Sequence, residues 1–176
     1  MSNVYIVSDT HFGHAKVIDL CNRPYKTLEE MEEDLILKWN NTVAKHDKVF
    51  HLGDFGFGSK ERISAIVSRL HGRISLIRGN HDGHGGRWYF DCGFHEVPGY
   101  PVLYQRQFLL SHMPIFPLED AISGEIPFRN IFGHIHNRLT IPPIGEAYAC
   151  VSVENIGYKP IAFDVLVKQM ASFATT

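Results

Sequence analysis

The sequence predicts an α/β fold, a four-layer αββα sandwich of two mixed β-sheets flanked by helices, in one domain over residues 1–176. Three observations predict it. Through the first half, apolar runs of strand length alternate with amphipathic helical stripes, the order of a parallel sheet built from right-handed crossovers. The second half changes to short strand candidates separated by Pro- and Gly-bearing turns, which implies a second sheet. Polar clusters rich in histidine recur where strands end, and α/β sheets place their ligand sites outside those carboxyl ends.

The elements follow in order. Residues 4–8 form a short apolar strand. Thr27 and Glu30 have the spacing of a capping box, and Leu28, Met31, Leu35, Trp39 and Val43 continue as a helical stripe whose acidic residues gather early, where the helix dipole favours them. Residues 48–52 are the second strand. Ser59 can cap a helix in which Ile63, Ile66, Val67 and Leu70 recur at i, i+3, i+4 and i+7. Residues 73–78 are the third strand. Beyond them, residues 94–97, 102–104, 107–111, 130–133, 147–153 and 160–163 are strand candidates.

A length of 176 residues with 44% hydrophobic and 20% charged content is ordinary globular composition, enough for a sizeable core. The formal net charge of −2 gives no electrostatic case for general nucleic-acid binding. Cys21, Cys92 and Cys150 are far apart and form no C-x-x-C pair, so reduced thiols in a cytoplasmic protein are expected. The start, MSNVYIVSDTH, lacks a basic n-region, and no segment reaches the length of a membrane span. Eleven histidines, many beside Asp, Asn or Gly, are the unusual feature.

Those histidines belong to clusters at strand ends: SDTHFGH after the first strand, HLGDFGFG after the second, RGNHDGHGG after the third, then LLSHMP and FGHIH. In the last, His134 and His136 stand two residues apart. In an extended segment their imidazoles share one side, which packs poorly unless something cationic or acidic lies between them. Asp9, His11, Asp54, Asn80, His112, His134 and His136 make seven oxygen and nitrogen donors with no sulfur. One tetrahedral zinc needs four; seven, with one carboxylate bridging, suit two metals about 3.5–4 Å apart, the arrangement that clamps both oxygens of a phosphoryl displacement. Gly53, Gly79 and Gly133 precede donors and allow close backbone approach. GDFGFGSK is a near miss for a P-loop: Ser59 precedes Lys60, so the lysine and the hydroxyl are both misplaced.

D-x-H, G-D, G-N-H-D, a lone His and G-H-x-H, in that order from Asp9 to His136, resemble the calcineurin-like metallophosphoesterases. SDTHFGH, NRPY and HLGDFGFG resemble a small bacterial and phage-type subgroup of that family. The resemblance implies the four-layer sandwich and two divalent metals. It assigns Asp9, His11 and His136 to the first metal, Asn80, His112 and His134 to the second, and Asp54 to the bridge. His81 is implied to contact the substrate phosphate and assist the leaving oxygen. Hydroxide generated near neutral pH by the metals would then attack phosphorus in line. Oxygen and imidazole ligands suit Mn, Fe, Zn or Ni, with Mn favoured.

One departure stands out. In the protein-phosphatase branch an Asp three residues after the bridging Asp pairs with the catalytic His, and here that place is Phe57. His14 is a candidate replacement or substrate contact, with a helix-capping or surface role as its alternative. Asp82 is adjacent in sequence to His81. Arg23 could clamp a substrate phosphate, or be a surface residue before Pro24. Arg78 is expected to pair with a carboxylate, His51 to pack in the core or support a ligand, and His84 to sit on a mobile surface loop.

The function expected is a phosphodiesterase acting on a small nucleotide-like diester, with a phosphomonoesterase as the alternative. A protein-binding scaffold on the same fold would lack ligands or the catalytic His, and this chain has the full set. A DNA nuclease would need a basic groove or an added domain. The partner expected is a small phosphoester such as a nucleotide, with no membrane and no strong case for DNA binding. Specificity is expected in residues 22–27, 83–88 and 116–128; oligomeric state is not legible.

Overall fold

The computed structural model describes residues 2–115, 128–138 and 143–173. The first strand, β1 (Val4–Val7), pairs in parallel with β2 (Lys48–His51), which pairs in parallel with β3 (Arg73–Leu76). Between them lie helices α1 (Val17–Leu20), α2 (Leu28–Thr42) and α3 (Lys60–Arg69). The capping signals work as the residues imply: Thr27 Oγ1 accepts from Glu30 N and Ser59 Oγ from Arg62 N. Glu30 reaches back one residue further than a standard box, accepting from Lys26 N. Met31, Leu35 and Trp39 on α2, and Ile63, Ile66 and Val67 on α3, are buried. Trp39 stacks over His51 of β2, and its indole N–H donates to the His71 carbonyl, fixing α2 against the sheet and the α3–β3 turn.

The second sheet runs β4 (Val102–Tyr104), β5 (Phe108–Leu110), β6 (Arg129–Phe132) and β7 (Tyr148–Cys150) in spatial order. Its last three strands are parallel, and β4 is antiparallel. The first sheet closes with β8 (Ile161–Ala162), antiparallel to β1. Two mixed sheets with helices are the expected class. Phe50 of β2 meets Tyr104 of β4 edge to face, and α5 (Phe163–Ser172) contacts β1, β8 and β7.

Several elements differ from expectation. Residues 94–97 make only a single bridge, Ser75 to Glu96. The strand expected over 147–153 stops at Cys150 and turns into a 3-10 segment, Val153–Asn155. The strand expected over 160–163 gives way at Phe163 to α5, whose buried Phe163, Leu166 and Met170 form an i, i+3, i+7 stripe. Residues 83–88 are not a mobile loop throughout, because α4 (Gly86–Asp91) begins there and buries Tyr89. Of the expected specificity loop over 116–128, all but Phe128 lies outside the described residues. Among the described residues, no helix is long and apolar enough to cross a membrane.

The layout positions a site. The parallel strands β1, β2, β3, β5, β6 and β7 end toward one rim. There a parallel bridge from Ser8 to Ser152 joins the two sheets: Ser8 N donates to the Val151 carbonyl, and Val153 N to that of Ser8. Asp9 is the next residue.

Candidate metal centre

The seven expected donors do converge. Side-chain ligand atoms of Asp9, His11 and His136 lie within 4.8 Å of one another, and so do those of Asp54, His112 and His134. Asp54 Oδ2 joins the groups, 3.5 Å from His11 Nε2 and 3.5 Å from His112 Nε2. His136 Nε2 is 3.8 Å and His11 Nε2 3.9 Å from Asp9 Oδ1. Asn80 Oδ1 is 2.9 Å from His112 Nε2, which puts it beside the second group.

The backbone is bent to deliver these groups. Among the described residues nine non-glycine residues have positive φ, and five are Asp9, His11, Asp54, His134 and His136. Such conformations are sparsely populated and persist where the surroundings over-determine them. Here the turns interlock: His11 N donates to the Asp54 carbonyl, Asp9 N to that of Gly53, and His134 N to Asp9 Oδ2. Gly53, at φ +96°, packs so closely that an added Cβ would lie 2.5 Å from Gly79 N. A Cβ on Gly133 would collide with Ser8 Oγ and Asp9 Oδ2.

The electrostatics ask for cations. His112 Nδ1 lies 2.8 Å from the Leu52 carbonyl, an acceptor only, so that nitrogen carries the proton. Its Nε2 lone pair then faces Asn80 Oδ1 and Asp54 Oδ2, electron-rich atoms that a shared cation reconciles. His136 is held the same way, with Nδ1 3.0 Å from Glu154 Oε1. Burial opposes charge on His136, but hydrogen bonding to Cys21 and Glu154, together with Asp9, pushes its pKa up to about 10. Burial, then the neighbouring His136 and Arg23, drives His11 far below the usual imidazole range, so it is neutral. Burial raises the Asp9 carboxyl, against His136, His112 and Ser152, which lower it. Three buried side-chain atoms among the described residues have no hydrogen-bond partner, and two of them are Asp9 Oδ1 and His11 Nε2. Orphaned donor atoms of this kind are costly unless a ligand satisfies them. The residues fit two divalent ions.

His81 stands at the rim, half-exposed, with Nε2 4.0 Å from Asp54 Oδ2. Its backbone N–H donates to Asp54 Oδ1. Phe57 packs beside both His81 and His14. Asp82 does not turn toward His81: its carboxylate accepts from the backbone N–H groups of Asp54, Phe55 and Gly79. Burial and Asp54 nevertheless push its pKa up to about 6. His14 pairs with His11, the two Nδ1 atoms 3.4 Å apart, rather than with His81.

Two sequence expectations need correction. Arg23 is neither a phosphate clamp nor a surface residue. It is buried, with Nη2 donating to the Asp9 carbonyl, Nη1 to that of Thr10, and Nε and Nη2 to Glu154. Its donors are spent inside the protein. Arg78 pairs with the His84 carbonyl, and among the described residues no carboxylate lies within 4.0 Å of it. His84 is exposed on the loop before α4, the surface position expected for it, and stacks on Trp88 at 3.9 Å between ring centroids. His51 is fully buried and hydrogen-bonds Thr10 Oγ1, in the core position expected for it.

Sequence reasoning missed Glu154 and Ser152. Glu154 orients His136 and balances Arg23; Ser152 Oγ donates to Asp9 Oδ2 at 2.8 Å. Neither has a spacing signal: Arg23 lies 131 residues from Glu154, Asp9 lies 143 from Ser152, and His136 lies 18 from Glu154.

Comparison with known proteins agrees with this geometry. The family profile described as calcineurin-like phosphoesterase matches residues 2–167. An uncharacterized protein of Methanocaldococcus jannaschii is 38% identical over 174 residues, covering 96% of this chain and 91% of that protein. The gene 66 proteins of Mycobacterium phages L5 and D29 are 41% and 40% identical, each over 47% of this chain and 41% of its own length. A crystal structure of a protein of unknown function from Aquifex aeolicus shares the fold, with a TM-score of 0.70 at 24% identity over 96% of this chain and 99% of that one.

Proposed function

This chain belongs to the calcineurin-like phosphoesterase family and is a metal-dependent phosphoric ester hydrolase; within that class we propose that it is a phosphodiesterase cleaving a small nucleotide-like diester. The observation that carries this is Asp54 Oδ2, equidistant at 3.5 Å from imidazoles of the two donor groups. A carboxylate in that position suits a bridge between two ions. When bound, two divalent ions supply positive charge that acidifies water and stabilises the phosphoryl oxygens. Manganese is the ion proposed, from among the Mn, Fe, Zn or Ni that an oxygen and imidazole donor set suits.

The chain's own groups do the rest. His81 hydrogen-bonds a phosphoryl oxygen and gives its proton to the departing alkoxide. Its backbone N–H bond to Asp54 fixes the ring at the rim. Asp82 holds the Asp54 and Gly79 turns together, so His81 and the bridging carboxylate move as a unit. A diester is supported by two recesses, of about 420 and 360 Å³, beside the donor groups, one for each substituent on phosphorus. The partner proposed is thus a small phosphoester, in a cytoplasmic protein whose three cysteines are free and buried.

The test uses a matched aryl phosphate diester and monoester. Metal-stripped protein is given Mn²⁺, with Asp54→Asn as control. Diester preference that requires both Mn²⁺ and Asp54 is expected. Monoester preference overturns the diester assignment, and inactivity with two ions bound overturns catalysis itself.

A further inference from the structure

We infer that the recess beside Asn80 and His112 seats a planar aromatic, nucleobase-sized substituent of the phosphoester, with Tyr100 as its stacking face; this rests on the phosphoesterase assignment above. The recess, about 420 Å³, has Asn80 and His112 on its floor and is walled by Arg78, Pro98, Tyr100, Pro101, Met113 and Ile115. That volume is in the range of small-molecule sites, which are apolar with a few polar groups.

The walls carry the argument. Tyr100 is 84% exposed, Met113 54% and Ile115 39%. These are three of the nine large hydrophobic side chains exposed among the described residues, and all three border one cavity. Apolar surface gathered at one concavity marks a ligand face rather than incidental exposure. A tyrosine offers a flat face for an aromatic ring, and a methionine sulfur makes favourable contacts with ring edges. Arg78, tied by Nη1 to the His84 carbonyl at 2.8 Å, has no carboxylate partner within 4.0 Å among the described residues. Its guanidinium remains available to a π-face or to an anionic group. The other recess, of about 360 Å³, differs in kind: His14, His81, His136 and Arg138 line it, a lining suited to a polar or anionic substituent. The two recesses therefore sort the two ends of a substrate, the aromatic end going to the Asn80 side.

The experiment measures equilibrium binding of phenylphosphonate and methylphosphonate to the Mn²⁺-loaded protein by calorimetry. Neither ligand is turned over, so the readout is independent of activity. Phenylphosphonate is expected to bind about tenfold more tightly, the scale of one aromatic contact with ring burial. In Tyr100→Ala that ratio should fall toward one while methylphosphonate affinity is unchanged. Because Tyr100 is so exposed, the variant should melt like the wild type; Met113→Ala gives a second, smaller loss of the ratio. Equal binding of the two phosphonates, or a ratio that survives both substitutions, overturns this inference alone. Failure of both ligands to bind the loaded wild type overturns it together with the phosphoesterase site.

Discussion

Glu154→Gln tests whether the metal centre depends on a buried ion pair behind it. Arg23 Nη2 lies 2.7 Å from Glu154 Oε1, with the Arg23 side chain fully buried and that of Glu154 3% exposed. At an effective dielectric of about 20 the attraction is about 6 kcal/mol. The cost of desolvating two ions, several kcal/mol each, cancels most of it, so the pair itself adds little net stability. Removing one partner is different, because the guanidinium stays buried without its counter-ion, at about 3–5 kcal/mol. Gln keeps a carbonyl acceptor, which favours the lower end, about 3 kcal/mol. For a chain of this length that is a fall in Tm of roughly 6–12 °C. Calorimetry on the metal-free protein reads it directly. The second consequence is chemical: His136 loses the carboxylate that fixes its Nδ1–H, and affinity for one of two ions should fall about 10–100-fold. Arg23→Met/Glu154→Gln should regain much of the lost stability without regaining metal affinity. A Tm within about 2 °C of wild type for Glu154→Gln, or strict additivity in the double variant, would refute the reasoning.

His81→Ala should keep its full metal content by elemental analysis yet lose about 10²–10⁴ in turnover on an unactivated alkyl ester. It should lose less on a nitrophenyl ester, whose leaving oxygen needs no proton; an unchanged alkyl rate would remove His81 from the chemistry. His51 supplies a pH prediction. Burial first, and then nearby His112, lowers its pKa from 6.5 to about 3. A native pKa below the unfolded one gives stabilisation that is complete above pH 6.5 and is lost as pH falls toward 3, because only the unfolded chain takes the proton. Urea titrations across that window should show His51→Gln shedding up to about 1.4 kcal/mol per pH unit of the wild-type slope. Parallel slopes in the two proteins would show that His51 does not resist protonation.

Much of the donor set was legible without coordinates because it lies in short clusters directly after strands. Parallel strands carry whatever follows them to a common rim, so Asp9, Asp54, Asn80, His112 and the His134–His136 pair needed no long-range information to be brought together. Helices α2 and α3 were legible for a similar reason, since their caps and stripes are local. α4 was hidden by the glycines from Gly83 to Gly86, which lower helix propensity. There burial of Tyr89 overrides propensity. α5 was missed although its stripe is regular, because the apolar run before it was assigned to a strand.

What the sequence by itself determined, then, is the class of fold, seven candidate donors that the fold brings to one rim and the kind of chemistry such a set suits. All of these depend on residue type and neighbours along the chain. Tertiary structure alone decided what stands behind those donors. Arg23 is read from sequence as a phosphate clamp or a surface residue and proves to be a buried strut, because Glu154 waits for it 131 residues away. Asp82 faces away from His81 toward the Asp54 turn, and Ser152 reaches Asp9 only where the two sheets join. These pairings are fixed by how one sheet docks on the other, and no spacing along the chain encodes that distance.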